Sequence, residues 1–341
     1  RGPPQRQSQQ LRRRPAVGLW EMDNSLKFIE ANGLRFRVSV SGEGPLVLLI
    51  HGWPESWYSW RHQITALSAA GYRVAAPDVR GYGGSDKPAA IEAYDMASLT
   101  ADMAGIITAL GAEQAVVIGH DWGAPIAWNT ALLHPDRVRA VAGLSVPYTG
   151  PGPAPFIEVA KQVYKDKFFY QIYFQEPGVA EAELEADVRA SLRKIYYWIS
   201  GEGLAAAPPR RKPADAKLLD GMADPGEMPA WMSREDLDYY VAQFEAGGLR
   251  GPLNRYRNSE RDFAYLLPHS GEKIQQPAGF IAGTLEPVLN FVPGADLIAT
   301  MKKNLVNLHF VEMVEGAGHW VQQERPDEVN RALLSFLKNV T

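Results

Sequence analysis

The chain contains no cysteine. That absence excludes a disulfide framework, a thiol nucleophile and any thiolate-held zinc or iron–sulfur site. No apolar run approaches the ~18 residues that a membrane helix requires, so no membrane span is expected. Charge of one sign is lacking too. The 35 Lys+Arg stand against 39 Asp+Glu for a formal net charge of −4, too balanced for a nucleic-acid-binding surface. No H-E-x-x-H or related spacing is present, so no metal site is expected. The glycine-rich turn from Arg80 to Asp86 lacks the G-x-G-x-x-G spacing opening into a helix and reads as a structural loop rather than a dinucleotide site. No internal repeat is visible.

What is present fits a large globular protein. A length of 341 residues exceeds the usual ~100–200 residues per domain and predicts two domains, or one large domain with an insertion. A hydrophobic content of 46% with 22% charged residues is ordinary for a soluble fold. Residues 1–21, with the run Arg12, Arg13 and Arg14, read as a basic flexible tail. With no signal segment recognisable, a cytoplasmic location is the default expectation.

Beyond the tail, β-rich runs alternate with helical patterns. Strands are expected at 27–30, 36–40, 45–50, 73–76, 115–118, 139–145, 279–282 and 308–314. Asn32-Gly33 marks a hairpin between the first two. Helices are expected at 60–70, 99–110, 126–133, 295–303 and 327–337. This alternation predicts a mostly parallel eight-stranded sheet flanked by helices. Between Pro147 and about Arg261 no buried strand is evident. Helical, aromatic-rich runs at 165–174, 181–199 and 234–245 instead predict a helical insertion after the sixth strand. The expected division is 22–147 and 262–341 for the core and 148–261 for the insertion.

The most informative residues are Gly119-His-Asp-Trp-Gly123, placed between a buried strand and a helical run. G-x-Nuc-x-G is the pattern of a tight strand–turn–helix elbow that exposes its central residue. Here that residue is Asp121. A carboxylate needs no base to become nucleophilic and can displace a leaving group at saturated carbon, but cleaving the resulting ester requires activated water. Among seven histidines, His319 in Gly316-Ala-Gly-His-Trp320 follows the last strand in a flexible turn and is the expected base. Glu286, in the loop after the seventh strand, is the expected carboxylate partner of its imidazole, with Asp296 the second choice. His51-Gly-Trp-Pro54 follows the third strand and can aim a backbone N–H at the nucleophile. Trp53 and Trp122 are therefore the expected oxyanion donors, and His51 a brace for the loop. An acid for a leaving oxygen must come from elsewhere, and the insertion is rich in tyrosine. A neutral phenol suits that role, but residue type alone does not choose among Tyr170, Tyr196, Tyr197, Tyr239, Tyr240 and Tyr256.

Taken together, H-G-W-P at His51, R-G-Y-G-G-S-D at Arg80, G-H-D-W-G at Gly119, Y-Q-I-Y-F-Q-E-P-G at Tyr170, G-P-L-N-R-Y-R-N at Gly251 and G-A-G-H-W at Gly316 resemble the α/β-hydrolase-fold epoxide hydrolases of the soluble-epoxide-hydrolase type. The likeness runs from about Met22 to Val340. It implies an α/β-hydrolase fold whose insertion is a cap, with Asp121 as nucleophile, His319 as base, and Tyr170 and Tyr256 as the ring-opening pair. It also implies conversion of a small-molecule epoxide to a vicinal diol without a cofactor. The family more often has aspartate at Glu286 and tryptophan at Arg255. An apolar pocket is expected from Pro54, Tyr148, Leu289 and Trp320 together with Trp53 and Trp122, and a homodimer is compatible with the sequence. The nearest alternative, a haloalkane dehalogenase, wants a halide-binding Asn where Trp53 stands. A non-catalytic binding member of the fold would be expected to lose Asp121, His319 or a cap tyrosine.

Overall fold

A computed structural model describes residues 25–207 and 211–341; the expected basic tail lies outside the described residues. The most apolar runs form its centre. Every residue of β3 (Leu46–Ile50) and of β5 (Ala115–His120) is buried, as a strand covered on both faces requires. Around them lie β1 (Leu26–Ala31), β2 (Leu34–Ser41), β4 (Arg73–Pro77), β6 (Val138–Leu144), β7 (Ile274–Gly283) and β8 (Leu305–Val314). The spatial order is β1-β2-β4-β3-β5-β6-β7-β8. The pairs β1–β2 and β2–β4 are antiparallel and the remaining five pairs are parallel. The sheet is therefore the mostly parallel, eight-stranded one expected. The β1–β2 turn is built on Asn32 and Gly33, with φ of 48° and 75°, the left-handed pair that matches a hairpin to strand twist.

The differences from the sequence-based expectations have identifiable causes. The third core helix starts at Gly123 rather than at residue 126, directly out of the elbow. Pro125 falls in its first turn, where a missing N–H costs nothing. The helix Met96–Ala109 starts three residues early because Asp95 caps it, accepting from Ser98 N–H. β7 begins at Ile274 despite Pro277, and the register shifts between those two residues, where proline has no N–H to donate. Within the insertion, 165–174 is not one helix. Lys167 pairs with Pro213 and the Phe168 N–H donates to Lys212 O, so only Tyr170–Tyr173 is helical. The run 181–199 is split into Val179–Glu185 and Val188–Trp198 by Asp187, which caps the second helix.

The insertion supplies no strand to the sheet, and its helices lie between β6 and β7 in the chain. The carboxyl ends of β3, β5, β7 and β8 all open toward one edge of the parallel sheet. This is where α/β folds place their ligands. Among the described residues, no helix is long and apolar enough to cross a membrane.

Core packing sets a stability test. Leu48 is fully buried in β3, whereas Val306 in β8 is 57% exposed. Leu48→Ala is expected to lower unfolding free energy by about 2–5 kcal/mol, and Val306→Ala by less than about 0.5 kcal/mol. Urea unfolding midpoints read both.

Candidate active site

Asp121 stands at the bend between β5 and the helix Gly123–Leu133 with φ of 52°, one of three non-glycine residues in the described chain with positive φ. The bend is possible because its flanks have no side chains. A Cβ on Gly119 would lie 1.9 Å from Gly123 O, and one on Gly123 would lie 2.0 Å from Ile50 O. Asp tolerates the left-handed region better than most residues. The turn thus drives a carboxylate up into the space above the sheet edge.

Three loops meet it there. The loop after β3 brings the Trp53 N–H to Asp121 Oδ1 at 2.7 Å. The loop after β8 brings His319 Nε2 to Asp121 Oδ2 at 3.1 Å. The loop after β7 brings both oxygens of Glu286 to His319 Nδ1 at 2.9 Å. Glutamate therefore spans the gap in spite of its extra methylene. Its Oε1 also accepts from Val288 N–H at 3.0 Å, which fixes it to its own loop. Asp296 is placed differently: it is exposed and caps the helix Leu297–Asn304 by accepting from Ala299 N–H. The Trp122 amide makes no hydrogen bond to Asp121 among the described contacts. Its indole instead stands edge-on to Tyr256, with centroids 5.3 Å apart.

The charges oppose burial and win. Burial pushes the Asp121 carboxyl up, but the hydrogen bond and charge of His319, with the Trp53 amide, outweigh it and leave the group below its usual range. Burial pulls His319 down, yet Glu286 and Asp121 together hold it well above an ordinary histidine. The imidazole thus sits between two carboxyl groups, each within hydrogen-bond distance of one of its nitrogens.

These groups line a cavity of about 540 Å³ whose walls include Tyr170, Tyr256, Trp53 and Trp320. The Tyr170 and Tyr256 rings stand edge-on with centroids 5.8 Å apart. Burial, and then the Asp121 charge, push Tyr170 up. Burial, the neighbouring Tyr170 and Asp121 do the same to Tyr256. Both remain neutral phenols, able to donate. Gln171 Nε2 donates to the Tyr170 hydroxyl at 2.9 Å. Tyr196 donates instead to Pro54 O, and Tyr240 to Gln323; Tyr239 accepts from the Trp57 indole. Neither these three nor Tyr197 lines the cavity.

Four expected wall residues fall elsewhere, Trp122 among them, its indole set between Tyr256 and Arg255. Tyr148 is buried with its ring 6.3 Å from that of Trp128, turned away from the cavity. Pro54 is spent on the bond from Tyr196, and Leu289 packs on the core while its neighbours Val288 and Asn290 line the space. Arg255 is not in the cavity wall either. It is buried behind Trp122, its guanidinium 4.6 Å over that indole and bonded to Tyr94 O and Asp262.

The sequence reading gave no role to Glu55 or His120, which lie beneath the site. Glu55 accepts from Gly52 N–H and contacts His120 Nδ1, both at 2.9 Å. His120 Nε2 donates to His319 O at 2.6 Å. This chain ties the β3 loop, the elbow and the base loop together. Its signal was adjacency alone: Glu55 follows His51–Pro54 and His120 precedes Asp121. His51 braces its loop, accepting from Val79 N–H at 3.0 Å. Among the described residues, no group of three or more His, Cys, Asp or Glu is placed to hold a metal.

Residues 45–326 match the model of the alpha/beta hydrolase fold, and the chain belongs to that family. Within it, the chain belongs with the epoxide hydrolases. It is 45% identical to epoxide hydrolase A of Mycobacterium tuberculosis over 91% of this chain and 96% of that protein. Among solved structures, an epoxide hydrolase from an endophytic Streptomyces superposes with a TM-score of 0.87 at 46% identity, over 92% of this chain and 95% of that one. Epoxide hydrolase A from Mycobacterium thermoresistibile gives a TM-score of 0.87 at 46% identity, covering 93% and 99%.

The electrostatics can be tested directly. Asp121 contributes both a hydrogen bond and a negative charge that raise His319. Asp121→Asn keeps the shape and removes the charge, so the imidazole pKa is expected to fall toward its ordinary value. A ¹⁵N-histidine NMR titration reads this; an unchanged His319 titration contradicts the assigned ion pair.

Proposed function

We propose that this chain hydrolyses an epoxide to a vicinal diol in two covalent steps, with residues 148–261 acting as a cap over a core formed by 22–147 and 262–341. The observation that carries the reading is the position of His319, which reaches the nucleophilic carboxylate with one nitrogen and Glu286 with the other inside a largely apolar cavity. Two neutral phenols face the same space.

In the first step Asp121 attacks a ring carbon. Oδ1 is held by the Trp53 N–H at 2.7 Å, and Oδ2, held more loosely by His319 at 3.1 Å, is the attacking atom. The ring C–O bond breaks, and the alkoxide takes a proton from one of the Tyr170 and Tyr256 hydroxyls while the other donates a hydrogen bond to it; once the ester has formed, the tyrosinate recovers its proton from His319, which leaves a neutral imidazole. Phenols pushed upward by burial stay protonated until that moment and so are donors to an oxygen leaving group. This favours an epoxide over a carbon–halogen bond. The product is an alkyl ester on Asp121.

Forming the ester also switches the base. An ester carries no charge, so His319 loses the hydrogen bond and attraction that Asp121 had supplied, and its pKa falls toward the range in which a neutral imidazole can accept a proton. Glu286 keeps the ring oriented throughout. His319 then takes a proton from water, and the hydroxide adds to the Asp121 Cγ. Charge develops on Oδ1, where the Trp53 N–H already points; one such donor is commonly worth about 10²–10³ in rate. Collapse breaks the Cγ–Oδ2 ester bond. The diol alkoxide takes the proton held by His319, and the Asp121 carboxyl then gives its own proton to the imidazole, so the carboxylate is restored.

Asp121→Ala is expected to abolish diol formation. His319→Gln is expected to form the ester and fail to release it, giving a protein mass increased by that of the substrate. Tyr170→Phe and Tyr256→Phe should each slow ring opening by about 10²-fold or more, the scale of a lost acid catalyst, and the double variant more than either. Chiral product analysis on a styrene-type epoxide measures the rates. Absence of any adduct in the His319 variant refutes the ester route.

A further inference from the structure

One buried carboxylate is not used by these steps. Glu324, at the end of the short helix Val321–Glu324, is 5% exposed. No cation among the described residues pairs with it. Its three side-chain hydrogen bonds all come from backbone amides: Oε2 accepts from Gly201 at 2.8 Å and from Gly318 at 3.0 Å, and Oε1 accepts from Trp320 at 3.0 Å. Gly318 and Trp320 are the residues on either side of His319, and Gly201 opens the helix Gly201–Ala206 of the insertion. Burial, with Glu202 nearby, pushes the Glu324 carboxyl above its usual range against the pull of those amides. A buried carboxylate without a counter-charge is a costly way to hold a loop.

The backbone around His319 is tied on its other sides as well. The His319 N–H donates to Ile199 O at 2.8 Å, and its carbonyl accepts from His120 and from Ser145 Oγ. The approach of the insertion is close enough that a Cβ on Gly318 would fall 2.4 Å from Ile199 O. Glu324 is the one side chain that grips the base loop both before and after the imidazole, and it does so together with the insertion.

On the two-step reading above, we propose that Glu324 is a positioning residue for the second step alone. By holding Gly318, Trp320 and Gly201 on one carboxylate, it sets His319 at the distance from the ester from which water can be activated. Attack by Asp121 is aimed by the elbow, the Trp53 amide and the tyrosines and draws on His319 only for its charge, which a small displacement of the ring leaves in place, whereas activating water depends on the ring's exact position.

Single-turnover kinetics separate the two steps. In Glu324→Gln the amide offers one oxygen and a nitrogen that cannot accept, so part of the clamp is lost with little change in volume. Ester formation is expected to proceed at the native rate while ester hydrolysis slows by up to about 10²-fold, the scale of a small misplacement of a catalytic group. The adduct then accumulates at steady state and is seen by mass spectrometry. Glu324→Asp, which keeps the carboxylate on a shorter stem, should recover part of the hydrolysis rate. A purely structural role would lower thermal stability without changing the ratio of the two rate constants. An unchanged ratio in Glu324→Gln, or equal slowing of both steps, overturns the proposal. If Glu324→Gln does not fold, the same ratio measured in Glu324→Asp decides. If His319→Gln also yields no adduct, it is the ester route that has failed, and the two failures are thereby told apart.

Discussion

A histidine buried between the carboxyl groups of Asp121 and Glu286 is the interaction around which the rest of this molecule is arranged. Such a triple is stable away from water only if every remaining lone pair and N–H finds a partner. The fold meets that condition with backbone. The Trp53 amide takes one oxygen of Asp121, and the Val288 amide takes one of Glu286. His120 and Ser145 hold the carbonyl of His319. Four strand ends must therefore stay in register to within a fraction of an ångström. A parallel sheet whose central strands are wholly buried supplies that rigidity, with the loops left free to carry chemistry.

Much of this was legible in the sequence because it is local. All eight strands were visible as apolar runs, and Asn32-Gly33 announced its hairpin. Asp121, His319 and Glu286 were each picked from the loop they occupy, and those loops converge. What was not legible depends on distant contacts. Residues 165–169 have the composition of a helix but bond across to Lys212 and Pro213, a pairing no periodicity reveals. Tyr148 is as aromatic as Tyr256, yet it packs on Trp128 outside the cavity, and Pro54 and Leu289 do not line it. Glu55 and Glu324 look like ordinary charges until their backbone partners, far away in sequence, are in view.

Arg255 shows how a substitution against the family pattern can leave a cavity untouched. Its guanidinium sits over the Trp122 ring, 4.6 Å from the ring centre, bonds the Tyr94 carbonyl and Asp262, and is desolvated enough that its pKa is lowered to about 10. A flat delocalised cation can replace a flat indole in a stack because both present a planar face to the ring beside them. The wall that substrate would meet is therefore set by Trp53, Tyr170 and Tyr256.

The occupancy of both nitrogens of His319 has a chemical corollary. Strained ethers alkylate any accessible lone pair, and imidazole is ordinarily among the better targets in a protein. Here both ring nitrogens are engaged, one by Glu286 and the other by Asp121, so an incoming electrophile finds neither free. On the two-step reading, its lone pair is uncovered only after the electrophile has been consumed by Asp121. The order of events would then be a form of immunity: the machinery that destroys a reactive compound is least vulnerable to poisoning at the moment the compound arrives.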